Sequence, residues 1–264
     1  MTLSWWQGLL LGLVQGLTEF LPISSSGHLV LAERLVGYRP QGVFFEVVVH
    51  VATLLSVLVA YQVKIRVLLA GLVRGDREAW RYSWLLVLAS IPAAAAGILF
   101  RDWFERSFHS MPALGWQFLI TAAILWSTRY AIPRATASRV SALHAVLIGI
   151  AQALAIIPAI SRSGATVAAG LWTGLSAEAA AEFSFILSII VIAGSGVMEA
   201  RHIPPGSDPF TLPLLFAFVA AMISGLLAIR WLVVLLRHRK FHLFAPYCAV
   251  LGVICLVWYG WLGK

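Results

Sequence analysis

Two clusters of polar residues interrupt apolar stretches of this sequence. In the first cluster, residues 19–28, Glu19 and His28 flank a serine triplet, and the second cluster, residues 161–164, reads Ser-Arg-Ser-Gly around Arg162. The planar guanidinium of arginine binds phosphate oxygens in pairs, and serine and glycine at a helix start add backbone N–H donors. If the clusters meet in the fold, they predict a phosphate site. A serine would attack phosphorus there while a carboxylate or an imidazole moves the proton.

Ionisable side chains are costly in hydrocarbon, by about 2.5–3.5 kcal/mol each on insertion scales, so each one needs a reason. Outside the two clusters, the ionisable residues in apolar segments are Glu46, His50, His144, Glu178, Glu182 and Arg230. For His144, Glu178 and Arg230 the structural explanations are stronger: packing, helix capping and reaching to the membrane surface. Glu46 and Glu182 stay open between structural partner and site residue.

The composition shows in what kind of protein these clusters lie. Of 264 residues, 61% are hydrophobic and only 11% are charged, whereas about a quarter of the residues of soluble proteins are charged. These charges are too few to cover a water-exposed globule. The sequence therefore predicts an all-α polytopic membrane protein and excludes a soluble enzyme, a disordered chain and a disulfide scaffold. The net charge of +8 is concentrated in short loops and does not indicate nucleic-acid binding.

Six apolar segments are long enough to cross a bilayer. They cover residues 43–63, 83–100, 112–128, 176–198, 212–236 and 244–262. Two further apolar regions, 1–40 and 140–175, are each broken by a proline followed by a serine and glycine cluster. Both polar clusters therefore lie where an ordinary membrane span would be uninterrupted and apolar.

Basic residues are concentrated in three connecting segments, 64–82, 129–139 and 237–243, which the positive-inside rule places in the cytoplasm. The alternate loops, around 101–106 and at 199–211, balance bases with acids. Each broken region must then enter and leave the membrane on the same side. This parity predicts two re-entrant hairpins, with both termini outside. Irregular backbone at that depth requires shielding by protein or by a wet cavity.

An internal repeat relates the two hairpins. Moving the chain along itself by 137 residues places GLVQGLTEFLPISSSG (12–27) on GIAQALAIIPAISRSG (149–164), with seven identities in sixteen positions. Each half, 1–128 and 140–264 of a single membrane domain 1–264, would comprise one re-entrant helical hairpin plus three transmembrane helices. Three is an odd number of crossings, so the halves have opposite orientation. This inverted-topology repeat predicts a site near the midplane, where the halves meet.

The same residues carry a resemblance to a known family. QGLTEFLPISSSGH at 15–28 resembles the Glu/Gln-x-x-x-Glu signature of the bacterial undecaprenyl-diphosphate phosphatases, the bacitracin-resistance family. PAISRSGAT at 158–166 resembles their second signature, Pro-Gly-x-Ser-Arg-Ser-x-x-Thr, and EFSF at 182–185 is also similar. Two positions depart from the pattern. Gln15 stands where many members have glutamate, and Ala159 replaces the motif glycine.

The resemblance implies hydrolysis of undecaprenyl diphosphate to undecaprenyl phosphate for cell-wall synthesis, with Mg²⁺ or Ca²⁺ as cofactor. It implies that Ser25 is the nucleophile and that Arg162 holds the diphosphate. His28 and Glu19 would transfer protons, or Glu19 would bind the metal. The division of labour among Ser25, His28 and Glu19 stays open, including which of Ser25 and His28 attacks. Further substrate-binding residues are expected to be Ser24, Ser26, Ser161, Ser163, Thr166 and Gln15.

A transporter of polyprenyl phosphates, or flippase, is the alternative function. Inverted repeats with re-entrant hairpins are typical of transporters, and a flippase would also need Arg162, but not Ser25 as a nucleophile. The resemblance implies a multi-pass protein of the bacterial inner membrane whose site opens to the outer face. Expected partners are a lipid diphosphate and membrane lipids, with no nucleic acid. The sequence leaves open whether the protein forms a homodimer.

Overall fold

The computed structural model describes residues 3–40, 43–100, 111–203, 208 and 210–262. Within these ranges the protein consists of helices and short connections, apart from one isolated parallel bridge between Ala137 and Leu175. In chain order the helices are α1 (Trp5–Phe20), α2 (Ser25–Leu35), α3 (Phe44–Ala60), α4 (Gln62–Val73), α5 (Arg77–Leu99), α6 (Met111–Ala131), α7 (Ala142–Leu154), α8 (Arg162–Trp172), α9 (Ala177–Ala200), α10 (Leu212–Arg237) and α11 (Phe244–Leu262). Short 3₁₀ turns, Ile132–Arg134 and Phe241–Leu243, follow α6 and precede α11.

Several of these helices are suited to cross a membrane. Four stretches among the described residues are long and apolar enough: α5, Ala177–Glu199 of α9, α10, and Phe241–Trp258 at the start of α11. α3 and α4 together form a fifth candidate. The predicted all-α, multi-pass class is therefore confirmed. The remaining predicted span, 112–128, coincides with the 21-residue α6, which falls outside these five.

One predicted connection is wrong. The sequence predicts a loop over residues 64–82, but α4 occupies most of this segment and α5 begins at Arg77. α4 is bent by 77° from α3, and none of its residues, all of which the structure describes, is buried. Its basic residues indicate a cytoplasmic segment, but valines and leucines between them continue a helix. Such a helix is suited to the boundary between lipid tails and headgroups.

The first broken region forms two short helices, as predicted. α1 ends at Phe20 because Leu21 precedes Pro22 and adopts an extended conformation, with φ −63° and ψ 146°. α2 begins after Ser24, whose Oγ accepts a hydrogen bond from the backbone N–H of Gly27 at 3.5 Å. The chain therefore turns back within four residues and places Ser25 at the first position of α2.

The second broken region has the same design. α7 begins with a capping box, in which His144 N–H donates to Ser141 Oγ and His144 Nδ1 accepts from Ser141 N–H at 3.1 Å. α8 begins after Ser161, whose Oγ accepts from Gly164 N–H at 3.1 Å. His144 is therefore a structural residue, as expected, and Arg162 becomes the first residue of α8.

Close packing through glycines fixes both hairpins in the bundle. A Cβ atom at Gly12 of α1 would collide with the backbone of Ala217 in α10, and one at Gly149 of α7 would lie 2.6 Å from the carbonyl oxygen of Ala89 in α5. Small residues let helix backbones approach closely in membranes. α1 therefore lies along α10, and α7 lies along α5.

We expect Gly12→Ala to lower the thermal unfolding midpoint in detergent, because overpacking a close contact costs about 1–3 kcal/mol. Gly194→Ala in α9 is the matched control, since a Cβ at Gly194 meets no atom of the residues that the structure describes within 4 Å. Alanine is also the better helix former, so the control should keep or raise the midpoint. Equal midpoints for the two variants would contradict the tight contact between α1 and α10.

Candidate active site

The carboxylate of Glu19 is the centre of a polar cluster at the end of α1. The Glu19 side chain is only 4% exposed. Its Oε2 accepts hydrogen bonds from Ser25 Oγ at 2.5 Å and from Gln15 Nε2 at 3.0 Å. Its Oε1 forms an ion pair with Nη2 of Arg162. The structure thus brings together four of the predicted site residues from both hairpins.

The starts of two helices adjoin this carboxylate. Ser25 is the first residue of α2 and Arg162 the first residue of α8. The positive ends of both helix dipoles therefore favour negative charge in the cluster. A second hydrogen bond joins the hairpins, from Ser163 Oγ to the carbonyl of Leu21 at 3.1 Å.

One nitrogen of the Arg162 guanidinium lacks a hydrogen-bond partner in the described part of the chain. Its Nη1 is buried and has no hydrogen-bond partner among the described residues. An unsatisfied buried donor costs about 1–3 kcal/mol, and a phosphate oxygen is an acceptor that arginine suits especially well. The cluster is therefore built to receive an anion with acceptor oxygens.

The other serines and the threonine of the two motifs are engaged within the protein. Ser24 and Ser161 cap their helices, and the hydroxyl of each lies 3.3 or 3.2 Å from that of the serine two positions later. Thr166 Oγ1 donates to the carbonyl of Arg162 at 2.8 Å and lies 2.6 Å from Ser184 Oγ. These hydroxyls hold the helix starts in place. Their predicted contact with substrate stays a prediction.

The His28 ring contacts a different part of the molecule. Its Nδ1 lies 2.7 Å from the carbonyl oxygen of Ser24, and its Nε2 lies 2.7 Å from the hydroxyl of Tyr247 in α11. The ring also stacks on Tyr247, with centroids 5.6 Å apart, and meets the edge of Phe118. The structure therefore does not bring His28 into direct contact with Ser25. Its catalytic role stays a prediction.

Two residues beside the cluster were given no role from the sequence. His50 of α3 lies with its Nε2 4.0 Å from Glu19 Oε2. Thr121 of α6 donates to the carbonyl of Ala159 at 2.8 Å and accepts from the backbone N–H of Ser161 at 3.2 Å. An ionisable residue in an apolar span is a signal that could have identified His50. A threonine in an apolar helix carries no such signal.

The two glutamates that the sequence left open differ in their surroundings. Glu182 forms an ion pair with Lys64 at 2.8 Å, so it is a structural partner of α4. Glu46 lies one turn before His50 in α3, and its backbone carbonyl lies 2.7 Å from the Nδ1 of that ring. Glu46 therefore adjoins the site through His50.

The predicted role of Glu19 as a metal ligand stays a prediction. Both of its oxygens are engaged by side chains of the protein. Among the described residues there is also no group of three or more His, Cys, Asp or Glu that could hold a metal. Divalent cations such as Mg²⁺ and Ca²⁺ need several oxygen ligands. Ser25, Gln15 and Arg162 use three of the roughly four lone-pair sites of the Glu19 carboxylate, so a cation bound there would take most of its ligands from elsewhere.

Comparison with known proteins agrees with the motifs. The family model described as "Bacitracin resistance protein BacA" matches residues 8–254, which include both polar clusters. The chain belongs to this family. The resemblance predicted from the two signatures is therefore confirmed.

Curated relatives also match this chain over nearly their whole length. An undecaprenyl-diphosphatase of Carboxydothermus hydrogenoformans is 39% identical over 257 residues, covering 95% of this chain and 96% of the relative. One of Bacteroides fragilis is 38% identical over 262 residues, covering 97% and 98%. A protein of Halalkalibacterium halodurans named undecaprenyl-diphosphatase 1 is 38% identical, covering 94% of each chain.

The departure of Ala159 from the second BacA signature has a structural cost. Its φ is +56°, in the left-handed region that costs an L-residue roughly 1–2 kcal/mol and that glycine adopts freely. This conformation explains why the family signature has glycine at this position. The hydrogen bond from Thr121 to the Ala159 carbonyl holds the turn in this chain. Gly27 faces it, because a Cβ at Gly27 would lie 2.9 Å from the Cβ of Ala159.

We expect Thr121→Val to lower the unfolding midpoint and the activity, because the carbonyl of Ala159 and the N–H of Ser161 would lose a buried partner. Each unsatisfied group costs about 1–3 kcal/mol, while valine keeps the size of the side chain. Thr128→Val on the same helix is the matched control, since among the described residues Thr128 Oγ1 bonds only the carbonyl of Leu125, at 2.6 Å. Thermal unfolding in one detergent compares the two. A Thr121→Val variant as stable as the control would show that this bridge is dispensable.

Proposed function

We propose that the protein hydrolyses undecaprenyl diphosphate to undecaprenyl phosphate and inorganic phosphate. The observation that carries this proposal is the Ser25 hydroxyl, which donates at 2.5 Å to a buried carboxylate ion-paired with Arg162. This arrangement provides a nucleophile, a proton acceptor and a phosphate binder. The name undecaprenyl-diphosphatase of the curated relatives supports the same reaction.

In the first step Ser25 Oγ attacks the terminal phosphorus. A bond forms between Oγ and phosphorus, the bridging P–O bond breaks, and undecaprenyl phosphate leaves with the bonding electrons. The Ser25 proton passes to Glu19 Oε2 along the existing hydrogen bond. Phosphoryl transfer depends mainly on alignment and charge neutralisation. The free Nη1 of Arg162 and the starts of α2 and α8 provide both.

In the second step a water molecule attacks the phosphoserine, the Oγ–P bond breaks, and Ser25 recovers a proton from Glu19. His28, in the first turn of α2, is the proposed acceptor of the water proton once it releases Tyr247. Ser26, which like Ser25 is only partly buried, is the serine best placed to contact phosphate oxygens after Ser25.

We also propose that a divalent cation binds together with the diphosphate. The substrate head carries several negative charges, and Arg162 supplies one positive charge. Mg²⁺ or Ca²⁺ binds phosphate oxygens readily, and when bound it would neutralise charge on the leaving phosphate. None of the proton transfers above requires Glu19 as its ligand.

We also propose that the two halves, 1–128 and 140–264, form an inverted-topology repeat. The packing pattern supports this proposal, because α1 lies on α10 as α7 lies on α5, and α5 and α10 occupy corresponding places in the two halves. The repeat-related glycines, Gly12 and Gly149, are points of close approach in both pairs. The polar cluster lies where the two halves meet.

We further propose that the protein lies in the bacterial inner membrane with the site opening to the outer face. The three basic segments would lie in the cytoplasm, and the polyprenyl tail would lie in lipid beside the helices. A homodimer is compatible with this arrangement and is not needed for the site, since one chain contributes every residue of the cluster.

A lipid transporter is the weaker proposal. It would use Arg162 and the helix starts to hold an anion, but it gives no role to the short hydrogen bond between Ser25 and Glu19. The relatives are also named for hydrolysis.

We expect Ser25→Ala to reduce phosphate release from undecaprenyl diphosphate on the order of 10³-fold or more, as for other covalent nucleophiles. The purified protein is assayed with and without chelator. Ser90→Ala is the matched control, since within the described part of the chain Ser90 Oγ bonds only the carbonyl of Leu86 in its own helix, at 2.8 Å. Turnover of Ser25→Ala at the control rate would remove the proposed nucleophile. Lipid movement across vesicles without hydrolysis would favour the transporter.

We expect a cysteine at Phe210 to react with an impermeant thiol reagent on intact cells, and a cysteine at Val73 to react only after permeabilisation. Phe210 and Val73 are 87% and 89% exposed, so accessibility depends on the side of the membrane. The native Cys248 and Cys255 are buried and are replaced to lower the background. Labelling of Val73→Cys on intact cells would overturn the inverted topology.

A further inference from the structure

The imidazole of His50 has one nitrogen whose protonation the structure defines. Its Nδ1 lies 2.7 Å from the backbone carbonyl oxygen of Glu46, one turn earlier in α3. A carbonyl oxygen can only accept a hydrogen bond, so Nδ1 carries the hydrogen. In the neutral ring Nε2 therefore carries a lone pair and no hydrogen.

That lone pair faces the carboxylate at the centre of the cluster. His50 Nε2 lies 4.0 Å from Glu19 Oε2, the same oxygen that accepts the hydrogen bond of Ser25. Two acceptor atoms facing each other repel, whereas a proton placed between them converts the contact into a charge-assisted hydrogen bond. A movement of about 1 Å or one bridging water closes the remaining distance. One proton would therefore complete a hydrogen bond between His50 Nε2 and Glu19 Oε2, and the attack by Ser25 releases one proton.

We propose that His50 is a proton relay behind Glu19, a positioning residue that acts through the carboxylate. This inference rests on the proposed phosphatase function. When Ser25 Oγ bonds to phosphorus, its proton moves to Glu19 Oε2 and then to His50 Nε2, which leaves an imidazolium beside a carboxylate. When the phosphoserine is hydrolysed, the proton returns by the same path to Ser25 Oγ. No oxidant or further reactant takes part.

Burial and charge explain why the proton moves on from Glu19. Arg162 is paired with Glu19 and favours its ionised form, so a protonated Glu19 loses that attraction. The His50 side chain is 30% exposed, against 4% for Glu19. An imidazolium at His50 keeps partial hydration and also gains the attraction of the restored carboxylate.

Several charged groups surround His50. Glu19 faces it from α1, and Glu46 lies one turn away on its own helix. Glu33 of α2 and Glu199 of α9 interact electrostatically with Glu46, and Arg162 of α8 lies beyond Glu19. α10 also packs on α3, and its residues before Arg230 include no ionisable side chain.

The test compares His50→Gln with His202→Gln in the purified full-length protein. Glutamine can donate a hydrogen bond to Glu19 but cannot carry the proton. His202 provides the matched control, because its Nδ1 also bonds the carbonyl one turn earlier, that of Met198 at 3.2 Å, but on an exposed segment. With undecaprenyl diphosphate as substrate, we expect His50→Gln to lower kcat by about 10- to 100-fold with little change in KM. The control should match the unmodified protein.

A second variant separates proton transfer from a structural role. His50→Ala should regain turnover on addition of imidazole, with saturation, and the pH dependence of the rescue should follow that of free imidazole. Glu19→Ala should gain nothing from the same addition. His50→Gln and His50→Ala proteins with unchanged unfolding midpoints would complete the expected result.

Three outcomes would overturn the inference. One is a His50→Gln rate within threefold of the control, and another is a low rate in His50→Ala that imidazole does not raise. In both cases an inactive Ser25→Ala variant beside an active unmodified protein leaves the proposed phosphatase function standing. The third outcome is no phosphate release by the unmodified protein, which overturns the function and the relay together.

Discussion

A single buried ion pair, between Arg162 and Glu19, joins the two hairpins at the functional cluster. Two charges withdrawn from water are tolerated only when they pair closely and their remaining hydrogen-bonding capacity is used. Ser25 and Gln15 supply the further donors to Glu19. Removing one member of such a pair typically costs about 3–5 kcal/mol, because the other charge stays buried alone. The two halves of the chain therefore meet where the Glu19 carboxylate is paired, while Nη1 of Arg162 has no partner among the described residues.

The backbone at the two turns is adapted to this pair. Ser24 has a φ of +71° and Ala159 a φ of +56°, and a non-glycine residue in this region typically costs about 1–3 kcal/mol. The strain is offset by hydrogen bonds, from Gly27 to Ser24 and from Thr121 to Ala159. Each turn allows a helix to begin at the position where its first side chain reaches Glu19.

Much of this arrangement could be predicted from the sequence, because an apolar chain leaves few places for polar residues. The broken helices, their proline and serine boundaries, and the meeting of Glu19 with Arg162 follow from patterns within short segments and from the repeat. The bend that produces α4 does not follow, since basic residues indicate the side of the membrane but not whether the segment is helical. The ring of His28 is held by Tyr247, which lies 219 residues later in the sequence. No local pattern encodes such a contact, and the same is true of Thr121.

The ion pair also sets an order of events during synthesis of the chain. Arg162 follows Glu19 by 143 residues, so at about 5–20 residues per second the ribosome makes the acid roughly 7–30 s before its partner. A carboxylate that enters an apolar phase without a counter-charge takes up a proton instead. Until the second hairpin is made, the Glu19 carboxylate lacks the guanidinium that it pairs with in the folded protein. A chain stopped before residue 162 would contain Glu19 and Ser25 but no guanidinium to pair with the carboxylate.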